Sequence, residues 1–138
     1  MKKISIIAAA IALCSCSATK TTDAAVDLNG EWDIVTVDGT AVDTTKTESR
    51  PILGFDTAKN TIYGCASCNS INGTAHVDAA KKTIKLSQVG TTMMLCANME
   101  YEQKILKALE SVKGYKAGKG SVELTNGSGK AVLQLKKQ

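Results

Sequence analysis

From residue 31 onward the chain is a succession of short runs in which apolar and polar residues alternate, broken at spacings of roughly ten residues by turn-forming pairs. This rhythm, more than any single motif, limits what the chain can fold into. Residues 31–39 read EWDIVTVDG and end in Asp38-Gly39, a hairpin signal. Residues 41–50 are polar and threonine-rich and predict a loop, after which Pro51 opens the run PILGFD. The runs NTIYGC, GTAHVD and KTIKLSQV follow, separated by Asn, Gly, Asp or Lys pairs. Within the second, alternation places Ala75 and Val77 on one face and His76 on the other. The closing stretch SVELTNGSGKAVLQLKK carries Asn126-Gly127 at its centre and reads as another hairpin. Such spacing favours an antiparallel meander over parallel units, which need longer crossovers.

One segment breaks the rhythm. Between Asn98 and Gly114, Ile105, Leu106, Leu109 and Val112 recur at helical spacing. Asn98 can cap the start, Gly114 can stop the end, Glu100 and Glu102 suit the first turn and Lys113 the last. The spacing predicts one amphipathic helix over residues 99–113. The fold class is therefore α+β: a mostly antiparallel, curved, barrel-like sheet with one amphipathic helix inserted to cover a face.

The N-terminus sets the compartment. MKKISIIAAAIALCSC has a basic start, an apolar run over residues 4–13 too short to cross roughly 30 Å of hydrocarbon, and a small-residue site. Leu13-Cys14-Ser15-Cys16 resembles the lipobox of bacterial lipoproteins, in which the signal is cut just before a cysteine whose thiol takes a diacylglycerol. Residues 1–15 are thus expected to be a lipoprotein signal peptide. Cys16 is expected to be the acylated residue, carrying palmitate-type chains, and residues 16–27 a flexible tether. Several acyl chains, at about 0.8 kcal/mol per buried methylene, anchor durably where one does not. The resulting expectation is a bacterial envelope protein, lipid-anchored to the outer membrane and facing the periplasm because no acidic run follows Cys16.

The body, residues 28–138, is long enough for one core and too short for two. Of the formal charge of +4, Lys2 and Lys3 leave with the signal, so 15 basic side chains face 13 acidic ones, a balance of +2. Nucleic acid is excluded as a partner on this count, because tracking phosphates needs a strongly basic face. Gripping single strands adds stacking aromatics, and here only Trp32, Phe55, Tyr63, Tyr101 and Tyr115 are spread along the chain.

With Cys16 acylated, three cysteines remain: Cys65, Cys68 and Cys96. An odd number allows one internal bridge and leaves one thiol over. A redox couple at Cys65 and Cys68 would need a helix N-terminus to stabilise its thiolate, and CASC is followed instead by the turn-like NSING. A zinc site from Cys65, Cys68, His76 and Cys96 lacks a second closely spaced pair, and export favours oxidation over metallation, so no metal or other cofactor is expected. The remaining reading is a bridge from Cys96 to Cys68 or Cys65, closing a loop of about thirty residues and adding roughly 3 to 4 kcal/mol.

Gly64, Cys68, Asn69 and Gly73, then Thr92, Met94 and Cys96, then Glu102, Ile105 and Leu109 together resemble the META domain of HslJ-like heat-shock lipoproteins. That pattern is approximately a glycine, a Gly-Cys-Asn triplet, a further glycine, and Thr-x-Met-x-Cys leading into a helix with Glu and spaced apolars. Trp32 after LNGE, Tyr115 and the closing hairpin also fit, so the resemblance spans essentially the whole body, about residues 28–136. It implies a compact antiparallel β fold with one helix, no known catalytic activity, and pairing of Cys68 with Cys96, which leaves Cys65 as the free thiol. Three departures stand out: Ser67 replaces the triplet's first glycine, Ile105 stands where an aromatic is common, and Cys65 is extra.

Other motifs yield little. GYKAGKGS lacks the Ser or Thr and the helix of a phosphate loop and reads as a connecting loop. His76 is the sole neutral-pH base, and no activated nucleophile or paired carboxylates accompany it. Met93, Met94 and Leu95 read first as core filling and second as an adaptable apolar binding surface. The expected function is that of a non-enzymatic, monomeric envelope protein, anchored to the membrane by lipid, which binds or stabilises a protein or small-molecule partner under stress. The alternatives are a thiol-disulfide protein using Cys65 and Cys68, and a small-ligand or protease-inhibitor module.

Overall fold

The computed structural model describes residues 27–138. The segments expected to be the signal peptide and, but for its last residue, the tether, with the expected acylation site Cys16, lie outside the described residues. Nine strands form one antiparallel sheet: β1 Gly30–Val37, β2 Thr40–Ala41, β3 Ile52–Asp56, β4 Thr61–Cys65, β5 Ser70–Asp78, β6 Thr83–Thr91, β7 Gly114–Gly118, β8 Ser121–Thr125 and β9 Ala131–Lys137. The helix α1, Glu100–Ser111, joins β6 to β7. Because β9 also pairs with β1, through Trp32↔Lys137 to Val37↔Leu133, the sheet closes on itself. Eight strands make the barrel, and the two-residue β2 folds back as a flap on the end of β1. The β1–β9 pairing covers the two terminal edges that an open meander would otherwise present.

The predicted alternation carries through. Trp32, Ile34 and Val37 of β1, Leu53 and Phe55 of β3 and Leu133 and Leu135 of β9 turn inward. Ala75 is buried while His76 is exposed. The helix lays Ile105, Ala108 and Leu109 on this core, with β9 and β1 as its principal neighbours. Trp32 is fixed in its buried position by its indole N–H, which donates to the Leu28 carbonyl at 2.8 Å, and Lys137 lies 4.5 Å over its ring.

Four local readings are corrected. Residues 114–118, expected as part of a loop, form β7, whose five residues pair in register with β8. The loop after β1 contains β2 and a 3₁₀ turn, Thr44–Lys46, where the Asp43 carboxylate accepts the Thr45 amide. The helix stops at Ser111, and Val112 already has an extended backbone. Gly114 therefore opens a strand instead of stopping a helix, and Lys113 lies past the last turn, where it no longer complements the helix dipole. At the other end Asn98 does accept the Glu100 amide, from one residue ahead of the N-cap position held by Met99.

The barrel wall is uneven. Neighbouring strands share full ladders except β6 and β7, which meet at the single pair Thr83↔Gly114. Above that point α1 takes the place that a continuous β7 would occupy beside β6. We call the end of the barrel bearing the β4–β5 turn, residues 66–69, the upper end. Residue 27 lies at the lower end, since Asn29 accepts the amide and hydroxyl of Thr57 in the β3–β4 turn.

Candidate functional site

At the upper end three stretches converge: the β4–β5 turn with Cys68 and Asn69, the segment from Thr92 to Cys96, and Glu102 in the first turn of α1. The structure brings Cys68 and Cys96 together as a disulfide, with Cα atoms 6.2 Å apart across 28 positions of sequence. Cys65, at the end of β4, is a free, half-buried thiol. CASC turns directly from β4 into β5, so Cys68 has no helix N-terminus behind it. Its sulfur is held by Cys96 and is not coupled to Cys65. With two of the four paper zinc ligands joined to each other and His76 out on β5, those residues do not assemble a metal site.

The Glu102 carboxylate is buried, and among the described residues no ion pair joins it. It is satisfied by donors alone: the backbone amides of Cys68 at 3.0 Å and Asn69 at 2.7 Å, and the side-chain amide of Asn69. Asn69 is the hub of the network. Its Nδ2 also donates to the Met94 carbonyl, while its Oδ1 accepts from the Met94 amide at 2.7 Å and from the Thr92 hydroxyl at 2.8 Å. Thr92 Oγ1 in turn accepts the Ser70 amide. Such charge-assisted and cooperative bonding is what makes a buried carboxylate tolerable. One atom is left out: Ser67 is fully buried, has φ +121°, and its hydroxyl has no partner. This is the position of the expected glycine, and the serine is held in glycine's conformation.

The knot fixes a short apolar loop in space. Met94 is bonded through both its amide and its carbonyl, and Cys96 is bonded covalently, yet Met93 is 96% and Leu95 97% exposed, with Met94 more than half exposed. The expectation of core filling is overturned. The disulfide and the Asn69 bonds hold the backbone of this segment against the barrel rim, so its neighbouring side chains point out.

A second concave feature lies on the wall. A cleft of about 370 Å³ separates β6 from α1, lined on one side by Leu86 and Val89 and on the other by Leu106, Leu109 and Val112, with Glu110 and Lys113 at its rim. This volume is within the range of about 300–1,000 Å³ typical of ligand pockets. The sequence pointed to neither the cleft nor its unpaired strand. Of the aromatic hydroxyls, Tyr101 Oη accepts the Asp43 amide at 3.0 Å. Tyr115 is buried, and burial raises the pKa of its phenol.

The META domain profile matches residues 24–138. Among solved structures, a DUF4847 family protein from Bacteroides vulgatus superposes with TM-score 0.58 at 15% identity, over 80% of this chain and 94% of that one. A protein from Burkholderia xenovorans, solved by NMR, gives 0.57 at 19% identity, over 80% of this chain and 83% of that one. At these identities both likenesses concern the fold. No curated protein matches the sequence. Six of the residues that carry the family resemblance, Cys68, Asn69, Thr92, Met94, Cys96 and Glu102, tie the upper knot, and the chain belongs to the META domain family.

Proposed function

We propose that this chain is a non-catalytic, lipid-anchored protein of the bacterial cell envelope whose META domain binds and stabilises another component, under stress conditions. The observation that carries the reading is the exposed loop at Met93 and Leu95, held rigid by the knot beneath it. Apolar side chains presented on an already ordered backbone lose little entropy on binding, and methionine adapts to irregular partner surfaces. The residues of the family pattern are engaged in structure: Cys68 and Cys96 in a disulfide, Asn69, Thr92, Met94 and Glu102 in hydrogen bonds, and Ile105 and Leu109 in the core, and among the described residues no nucleophile and base stand side by side.

The orientation fits a tethered binder. Residue 27 leaves from the lower end, and β1 alone, eight residues long, spans on the order of 25 Å towards the upper end. A lipid at Cys16 would hold the lower end near the membrane and present Met93 and Leu95 away from it, towards the periplasm.

Capture of partners from envelope membranes by the full chain tests the binding role, with the double variant Met93→Ser/Leu95→Ser as comparator. The reading predicts loss of the captured partner at unchanged folded stability. Equal capture by both proteins would remove the loop from the account. Metabolic labelling with palmitate, expected for the native chain and absent for Cys16→Ser, tests the anchor separately.

A further inference from the structure

We propose that the seam between β6 and α1 is a strand-addition site, taking a short extended peptide that is apolar at every second position. The inference deepens the binding role proposed above, and rests on it, by naming the chemistry of the partner.

The backbone of β6 supplies the first observation. Its lower end is paired on both sides, since the Ile84 amide donates to the Lys113 carbonyl across the seam. Backbone groups alternate in direction along a strand. The amide and carbonyl of Leu86, two residues on, therefore also point away from β5, and among the described residues they have no partner there, because the β6–β7 ladder ends at Thr83↔Gly114. An outward row of unpaired N–H and C=O groups is a template for another strand. The second observation is the apolar wall opposite. Leu106, Leu109 and Val112 face this edge across the cleft, and Leu86, Leu106 and Val89 remain only partly covered.

Together the two select the occupant. An acyl chain would fill the apolar volume but leave the Leu86 amide and carbonyl unbonded, and a helix would bring no outward main-chain groups to meet them. An extended peptide satisfies both at once, running in the direction of β7. Cross-strand neighbours share a face of the sheet, so the peptide residue opposite Leu86 points its side chain into the cleft and its own amide at β6. Its neighbours on either side point towards Lys85 and Ser87 and are polar. The bulge at Gln88, where φ is +52° and the β5–β6 register shifts, interrupts the edge, so the added strand is short. The exposed Met93–Leu95 loop follows at the upper end of the same strand and can receive what emerges from the cleft.

The test uses the full chain in detergent and a fluorescent peptide alternating valine and threonine between terminal glutamates. The native protein is expected to bind it with micromolar affinity. Methylating the valine amides, which face β6, should weaken binding at least tenfold, whereas methylating the threonine amides should change it less than threefold. Leu106→Lys, at a half-exposed position, should also weaken it about tenfold without moving the unfolding midpoint. Equal effects of the two methylation patterns would overturn the proposal, as would binding of decanoate to the cleft with none of the peptide. Failure of the peptide to bind, alongside partner capture that still depends on Met93 and Leu95, would sink strand addition while leaving the binding role standing.

Discussion

The two flanks of β6 are held in opposite ways. Past its upper end, within a few residues, a disulfide, a buried carboxylate and the four side-chain hydrogen bonds of Asn69 join three distant stretches of sequence. Along its outer side, a strand edge faces a helix across an open cleft with almost no main-chain bonding above Thr83. The contrast shows where this fold fixes geometry and where it leaves surface available. Polar burial at the knot is nearly complete and nearly satisfied, which makes it rigid and intolerant. The seam is lined by apolar groups that tolerate both a covered and an uncovered state.

The contrast is broken most directly at Glu102. Glu102→Ala removes the acceptor of two backbone amides and of the Asn69 side chain, and leaves all three donors buried. At about 1–3 kcal/mol for each unsatisfied group, with partial relief from entering water, the expected loss is about 4 kcal/mol by urea unfolding. A loss below about 1 kcal/mol would mean that the knot is not what holds the upper end. Next in size is Cys68→Ser/Cys96→Ser. Closing a loop of 28 residues corresponds to about 3.5 kcal/mol in the chain-entropy treatment. Hydrogen exchange of that variant sharpens the comparison: protection should fall from Thr92 to Cys96 and at Cys68 and Asn69, while the β6 amides that bond to β5 keep theirs.

Much of this was legible in the sequence, and unevenly. The strands read by period two stand where the pattern put them, and the helix read by period 3.6 is present though shorter at its C-terminal end, because burial on one face imposes those periods. β7 was missed because GYKAG holds two glycines and a lysine around its single large apolar residue, Tyr115, so five residues offer no alternation to detect. The helix end was placed too late because Val112 is buried at helical spacing from Leu109 while its backbone has already become extended. At the upper end the residue types were visible but their company was not. Nothing in residues 98–113 announces that Glu102 turns inward to bond a turn more than thirty positions earlier, since a glutamate in a first turn is equally at home in water. Met93 and Leu95 misled for the complementary reason: their hydrophobicity argues for burial, and only the tertiary pinning of Met94 and Cys96 turns them out. The cleft depends on the absence of a ladder between β6 and α1, which is a property of pairing and not of any local run.

A smaller effect of opposite sign is expected at the one imperfection of the knot. Ser67 combines a positive φ with a buried, partnerless hydroxyl. Ser67→Gly relieves both, each worth of order 1–3 kcal/mol, against the added freedom of glycine in the unfolded chain and the loss of a buried Cβ. A net gain of about 1 kcal/mol is expected, seen as a higher urea midpoint. Ser67→Ala separates the two contributions, since it deletes the hydroxyl but keeps the strained backbone. If alanine stabilises as much as glycine, the relief of backbone strain does no more than offset glycine's added freedom and the lost Cβ, and the hydroxyl accounts for the whole net gain.

The smallest effect belongs to an exposed pair near the knot. Lys104 and Glu100, one helical turn apart, lower the Glu100 pKa from its ordinary 4.5 chiefly through the hydrogen bond from Lys104, and raise the Lys104 pKa from 10.5 chiefly through the same bond. A depressed carboxylate stabilises above its unfolded pKa and ceases to as pH falls through the folded one; a raised lysine stabilises below 10.5 and ceases to as pH rises past its folded value. Their joint contribution is therefore flat across neutral pH and declines at both extremes. Because both groups lie in water, it is small and screened by salt. Lys104→Ala should leave the thermal midpoint at pH 7 nearly unchanged and indistinguishable from native at pH 2. A shift at pH 7 as large as that from Ser67→Gly would place the first turn of α1, and not the buried acceptor it carries, at the root of the knot's rigidity.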